Sequence, residues 1–255
     1  LERERETLSA VLKKMFSITE DAASNEEIRD RILSGGKITG TNMVVMICAI
    51  LIASVGLNTD SVAVIIGAML ISPLMGSILA ISYGTASNDA YLVKRHAVGF
   101  AVQIFMSVAT ATVYFLLSPV KEPTEQLLAR TNPNFFDVLI ALAGGIAGIV
   151  GQTRKDKSNN IIPGVAIATA LMPPLCTCGY AIANGNLRML LGAFYLFTIN
   201  AYFIYIASDL MLVLLRTPRV RAMTFTEWKR LRKKMYRNTL LVLLPILAIA
   251  IGWNR

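Results

Sequence analysis

The chain has 255 residues, 55% of them hydrophobic, and a mean hydropathy of +0.56, which excludes an ordinary soluble domain. A formal net charge of +9 would suit a nucleic-acid binder, but placed along the apolar segments below, 21 of the 25 lysines and arginines fall on one side and 4 on the other. That asymmetry is the positive-inside pattern of a multi-pass protein of the cytoplasmic (inner) membrane with its N-terminus in the cytoplasm, and it removes nucleic acid as a partner.

The first forty residues read as a cytoplasmic helical arm. Leu1, Leu8, Leu12, Met15 and Phe16 lie near one face of a charged helix, suited to a membrane surface or another subunit. Ser24 and Glu27 have capping-box spacing at the start of a second helix, which Ser34-Gly35-Gly36 should end. The chain opens on Leu1 rather than Met, consistent with a piece of a longer protein, and no cleavable signal is expected before the first apolar run.

Seven apolar segments follow, at 42–57, 62–84, 92–117, 135–151, 161–184, 187–215 and 239–253, most of them long enough to cross as a helix of about 17 to 25 residues. They predict an all-α membrane bundle: a first repeat over 41–118, an outer loop over 119–134, a second repeat over 135–216 and a last helix over 239–255. Between them, 217–238 is a basic amphipathic stretch whose Phe225, Trp228, Leu231 and Met235 form a stripe, so 224–237 is expected on anionic lipid. One last crossing would leave the C-terminus outside.

The second and fifth segments repeat each other. At an offset of 101, residues 64–84 match 165–185 at Val64, Ile66, Leu70, Pro73, Leu74, Ala80, Ile81 and Gly84, eight of 21 positions. An odd number of crossings separates the two copies, so they must run in opposite directions, which is the 3+3 inverted repeat of many secondary transporters.

Prolines lie at the centre of both copies, Pro73 in one and Pro173-Pro174 in the other. Proline lacks an N–H and its ring collides with the carbonyl four residues back, so two proline-broken helices are expected. Irregular backbone at that depth survives only where protein or a water-filled cavity satisfies it.

The candidate binding residues are therefore Ser72, Pro73 and Ser77 at the first break and Thr169, Pro173, Pro174 and Thr177 at the second. Gln103 and Asn200, amides deep in the third and sixth segments, join them because polar groups at such depth face the interior. Asn58 and Asn159, also 101 apart, are either caps of their own turns or amides lent to the break of the opposite repeat.

Other chemistry is sparse. Asp60 and Asp137 fall near outer helix ends, Asp209 in the inner third of segment six, and the single histidine, His96, in a cytoplasmic loop. No carboxylate pair, HExxH or P-loop is present, so neither an enzyme nor a nucleotide-driven pump is expected. Sodium, held by hydroxyls and freed carbonyls, fits better than a proton, and no other cofactor is expected. Cys48, Cys176 and Cys178 all lie in apolar runs; Cys176 and Cys178, two apart on a helix, point to different sides and read as small packing residues. Gly144 and Gly148, with Ala141 and Gly145, allow close helix packing, either within the subunit or between copies in a homo-oligomer.

The blocks Ala53-Ser54-Val55-Gly56-Leu57 through Ser61, Val64 to Gly76 with its Ser72-Pro73-Leu74-Met75-Gly76, and Pro163-Gly164-Val165-Ala166-Ile167-Ala168 with Pro173-Pro174-Leu175 resemble the membrane family known as domain of unknown function 389. The resemblance covers roughly 40–216. It implies a hydrophobic membrane unit that in many members follows a soluble domain, and it brings no activity or catalytic residue. The residues themselves predict a transporter of a small solute or ion; a channel and a non-transporting sensor or scaffold working through the arm and the 224–237 helix are the alternatives.

Overall fold

The computed structural model describes residues 22–155, 161–220, 229, 233 and 237–244, with the backbone alone over 161–170. The described residues are helical, apart from turns and one isolated bridge between Ala22 and Arg154. In chain order the helices are α1 (Asn25–Gly35), α2 (Gly40–Asn58), α3 (Val62–Leu70), α4 (Leu74–Ala86), α5 (Ala90–Leu117), α6 (Glu125–Leu128), α7 (Phe135–Thr153), α8 (Ile161–Ala183) and α9 (Leu187–Leu214). Four of them, α2, α5, α7 and α9, are long and apolar enough to cross a membrane, and α3 with α4, bent by 49°, is either a fifth, broken span or a re-entrant loop.

Short polar side chains start these helices. Thr39 Oγ1 accepts from the Asn42 N–H, Asp89 from Leu92 and Asn186 from Met189, while Asn134 and Asp137 form a reciprocal box ahead of α7. The expected box at Ser24 and Glu27 opens α1. Reversals between spans use left-handed residues, Asn88 (φ 57°) before α5 and Gly185 (φ 66°) before α9, residue types for which that backbone costs least.

The element lengths recur. α2 and α7 each have 19 residues, α5 and α9 each have 28, and each 28-residue helix starts four residues after its predecessor ends. α5 packs along α8 and α9 packs along α4. α8 is the innermost helix: every residue from Leu171 to Ala181 is buried.

Two expectations about the prolines separate here. Pro73 does interrupt its span, but α8 continues as one helix through Pro173 and Pro174. Neighbouring helices on all sides of Leu171–Ala181 hold it in place, and a proline inside a buried membrane helix is tolerated when neighbours satisfy the freed groups. Nor is His96 in a loop: it occupies the second turn of α5, buried, with Nδ1 3.0 Å from the Gly36 carbonyl oxygen. Of the seventh segment, 237–244 is helical; its remainder, the 1–21 stripe, most of the 224–237 stretch and Asn159 lie outside the described residues.

The arm docks where an amphipathic lead-in should. Ile28 and Ile32 are buried on α1, which packs on α4 of the first half and α7 of the second. The Ala23 N–H donates to the Thr153 carbonyl at 2.7 Å, and Arg31 reaches the Arg154 and Lys155 carbonyls. Close approach needs glycine here: a Cβ on Gly76 would land on the Gly35 carbonyl, and one on Gly36 would meet Ala80 and the Gly76 oxygen. The glycines of α7 also pack inside the subunit, since a Cβ on Gly145 would strike Ile204 and Ala207 of α9, and Ser208 Oγ donates to the Gly145 carbonyl at 3.2 Å.

Candidate functional site

At the break between α3 and α4, the chain avoids orphaned carbonyls by tightening. Ile71 N–H donates to the Ala68 carbonyl and Ser72 N–H to the Met69 carbonyl, both at 3.3 Å, so the carbonyl that Pro73 cannot serve is taken by a short turn. The Ser72 hydroxyl does not serve that carbonyl; it accepts from the Leu74 N–H at 3.4 Å and so starts α4.

One turn into α4, Ser77 Oγ donates to Gln103 Oε1 of α5 at 2.7 Å. Both side chains are buried, with 0% and 1% of their surface exposed, so this pair lies in the interior of the bundle next to the break. Each polar group answers the other, which a buried amide and hydroxyl require.

Gln103 is residue 14 of the 28 in α5, counting from Ala90, and Asn200 is residue 14 of the 28 in α9, counting from Leu187. Both amides thus sit at the midpoint of a long span, and Asn200 is buried at 3% exposure. Three residues earlier on the same helices, Phe100 and Phe197 stack with centroids 6.0 Å apart and planes 26° from parallel.

Thr177 is fully buried, and its hydroxyl returns to the Pro173 carbonyl of its own helix at 2.9 Å. It therefore serves the helix backbone. Thr169 lies in the stretch whose side chains are not described.

Asn58 belongs elsewhere. Its Nδ2 donates to Ser118 Oγ at 2.6 Å and approaches Tyr114 Oη at 3.4 Å, so it ties the end of α2 to the end of α5 in its own half rather than reaching the opposite break. The same end of the bundle is closed by Thr124 Oγ1 on the Leu57 carbonyl (2.6 Å), by the Tyr180 hydroxyl on the Lys121 carbonyl, and by an edge-to-face contact of Phe115 with Tyr180. At the arm end, Tyr205 Oη donates to Thr85 Oγ1 (3.2 Å) and Ser82 Oγ to the Tyr205 carbonyl (3.3 Å).

The sequence reading missed these two rings of ties, because Tyr, Ser and Thr near helix ends look like ordinary interfacial residues. Among the described residues no group of three or more His, Cys, Asp or Glu is placed to hold a metal; Cys48 is exposed, and Cys176 and Cys178 are buried and unbridged.

Comparison with known proteins identifies a family but no activity. Residues 69–206, more than half of the chain, match the family model described as "Domain of unknown function (DUF389)". An uncharacterized protein of Methanocaldococcus jannaschii is 27% identical over 199 residues, a match spanning 78% of this chain and 58% of the relative. No solved structure matches.

Proposed function

The chain belongs to the domain of unknown function 389 family, a description that names no activity, and from the geometry above we propose that it is a transporter of a small solute or ion. The observation that carries the reading is the pair of mid-span amides, Gln103 and Asn200, each buried at residue 14 of a 28-residue helix that lies against the second span of the other half. Buried amides at the centre of a span are functional positions by default, since hydrocarbon offers them nothing.

The exchange of third helices between halves supports a 3+3 inverted repeat, in which one half rocks against the other around a fixed centre. Ser77, Gln103 and Asn200, with the helix break at Ser72 and Pro73, form the site on this reading. Their oxygens are neutral, which suits sodium or a neutral polar solute better than a proton. The basic residues of the arm, of 154–155 and of 216–219 support a cytoplasmic position for that end of the bundle, on the positive-inside rule.

The test is ligand-dependent thermal stability of the purified protein in detergent, across sodium, potassium and a metabolite panel. A ligand at a hundred times its Kd adds about 2.7 kcal/mol. A saturable shift that disappears in Gln103→Leu and Asn200→Ala supports the site. Uptake into proteoliposomes that both variants leave unchanged overturns it.

A further inference from the structure

The corner where the arm turns into α2 is open in the first half and shut in the second. Between the end of α1, the start of α2 and the first turns of α5 lies a cleft of about 330 Å³. Lys37, Arg95 and His96 line it together with Leu33, Ile38 and Leu92. No carboxylate is among the residues that line it.

His96, also in the lining, is 7% exposed, and because the Gly36 carbonyl can only accept, the Nδ1 that meets it carries the proton. Lys37 and Arg95 are exposed, so the cleft is lined by two exposed cations, a buried imidazole and apolar side chains.

Counting from the first residues of the flanking helices, Gly40 against Phe135 and Ala90 against Leu187, the same corner of the second half carries Thr131, Asn132, Gly192 and Ala193 where the first has Gly36, Lys37, Arg95 and His96. There the Thr131 carbonyl lies where a Cβ on Gly192 would go, so backbone fills the space that the first half leaves empty. The repeated scaffold therefore does not dictate a cavity at this corner; the residues of the first half make one.

We propose that this cleft binds a phosphate group, carried by an anionic phospholipid or free in solution. Lys37 and Arg95 in the lining suit the charge, by hydrogen bonds strengthened by that charge. Leu33, Ile38 and Leu92 suit the glycerol and first methylenes of a lipid. The height suits a headgroup as well: α2 and α5 both begin here, and Ile38 (40% exposed) and Tyr91 (74%) flank the opening as residues of the membrane interface do. The site stands independently of any transport reading.

The experiment uses the purified full chain with two probes, inorganic phosphate in delipidated detergent solution and nanodiscs of phosphatidylglycerol or phosphatidylcholine. Lys37→Gln/Arg95→Gln is compared with the control Lys94→Gln/Lys155→Gln, which removes the same charge from residues that do not line the cleft. Selective binding of phosphatidylglycerol that falls about tenfold or more in the cleft variant, and not in the control, supports a lipid headgroup. Saturable phosphate binding with the same loss supports free phosphate. Equal binding by wild type and cleft variant, or equal loss in the control, overturns the proposal. If the double variant does not fold, Lys37→Asn and Arg95→Gln carry the comparison singly.

Discussion

Phe100 and Phe197 occupy the same position, residue 11, in the two 28-residue helices, and their rings stack at 6.0 Å. Residues at matching positions of two repeats can touch only close to the axis that relates the repeats. The contact thus marks where such an axis would pass, one turn from Gln103 and Asn200. A double-mutant cycle checks it: Phe100→Ala and Phe197→Ala should couple by about 0.5–1.5 kcal/mol in reversible unfolding in detergent. Strict additivity would remove the contact from the energetic core.

The hydroxyl–amide pair beside the break predicts a second coupling. Ser77→Ala or Gln103→Leu alone leaves a buried partner unanswered, at a cost of about 1–2 kcal/mol. Together they should cost less than the sum of the singles. A double variant as damaged as the sum would mean that each side chain acts through some other neighbour.

The two proline sites should respond differently. Pro73→Ala restores an N–H at a real interruption, so it should straighten the α3–α4 bend and reduce uptake without removing the protein from the membrane. Pro174→Ala sits in a continuous helix and should be neutral or stabilising by up to about 3 kcal/mol. Unfolding midpoints and proteoliposome uptake separate these outcomes; loss of uptake in Pro174→Ala with none in Pro73→Ala would reverse the assignment.

These contrasts show what could be read in advance. Of the seven apolar segments, those at 42–57, 92–117, 135–151 and 187–215 correspond to helices long enough to cross and the one at 62–84 to a bent pair, because a membrane helix must be apolar along its length. The offset of 101 found by matching residues differs from the 97 that relates α5 to α9, a slip of four, or about one helical turn. Apolar helices resemble themselves when shifted by a turn, so identities alone do not distinguish the two registers. Tertiary partners were the harder part. Nothing local to Asn58 says that Ser118, sixty residues on, will receive its amide, or that His96 will be covered by a glycine from the arm.

Gly76→Ala should loosen the arm. Its methyl would have to displace the Gly35 backbone, an overpacking of about 1–3 kcal/mol, and amide exchange over 25–36 should accelerate. Gly67→Ala is the control: nothing lies within 4 Å of its added Cβ, and it should leave exchange of the arm unchanged. Unaltered protection in Gly76→Ala would mean that the arm is held from elsewhere.

The arm touches both halves at once, Gly35 and Gly36 resting on α4 while Ala23 and Arg31 hold the end of α7. If the halves move against each other, one of those grips has to lengthen or let go, so α1 acts as a spring between them. Every 1.4 kcal/mol by which the arm prefers one arrangement changes the ratio of the two populations tenfold. A modification or partner that only unseats Ala23 would reset that ratio from outside the membrane, without touching a residue at the centre.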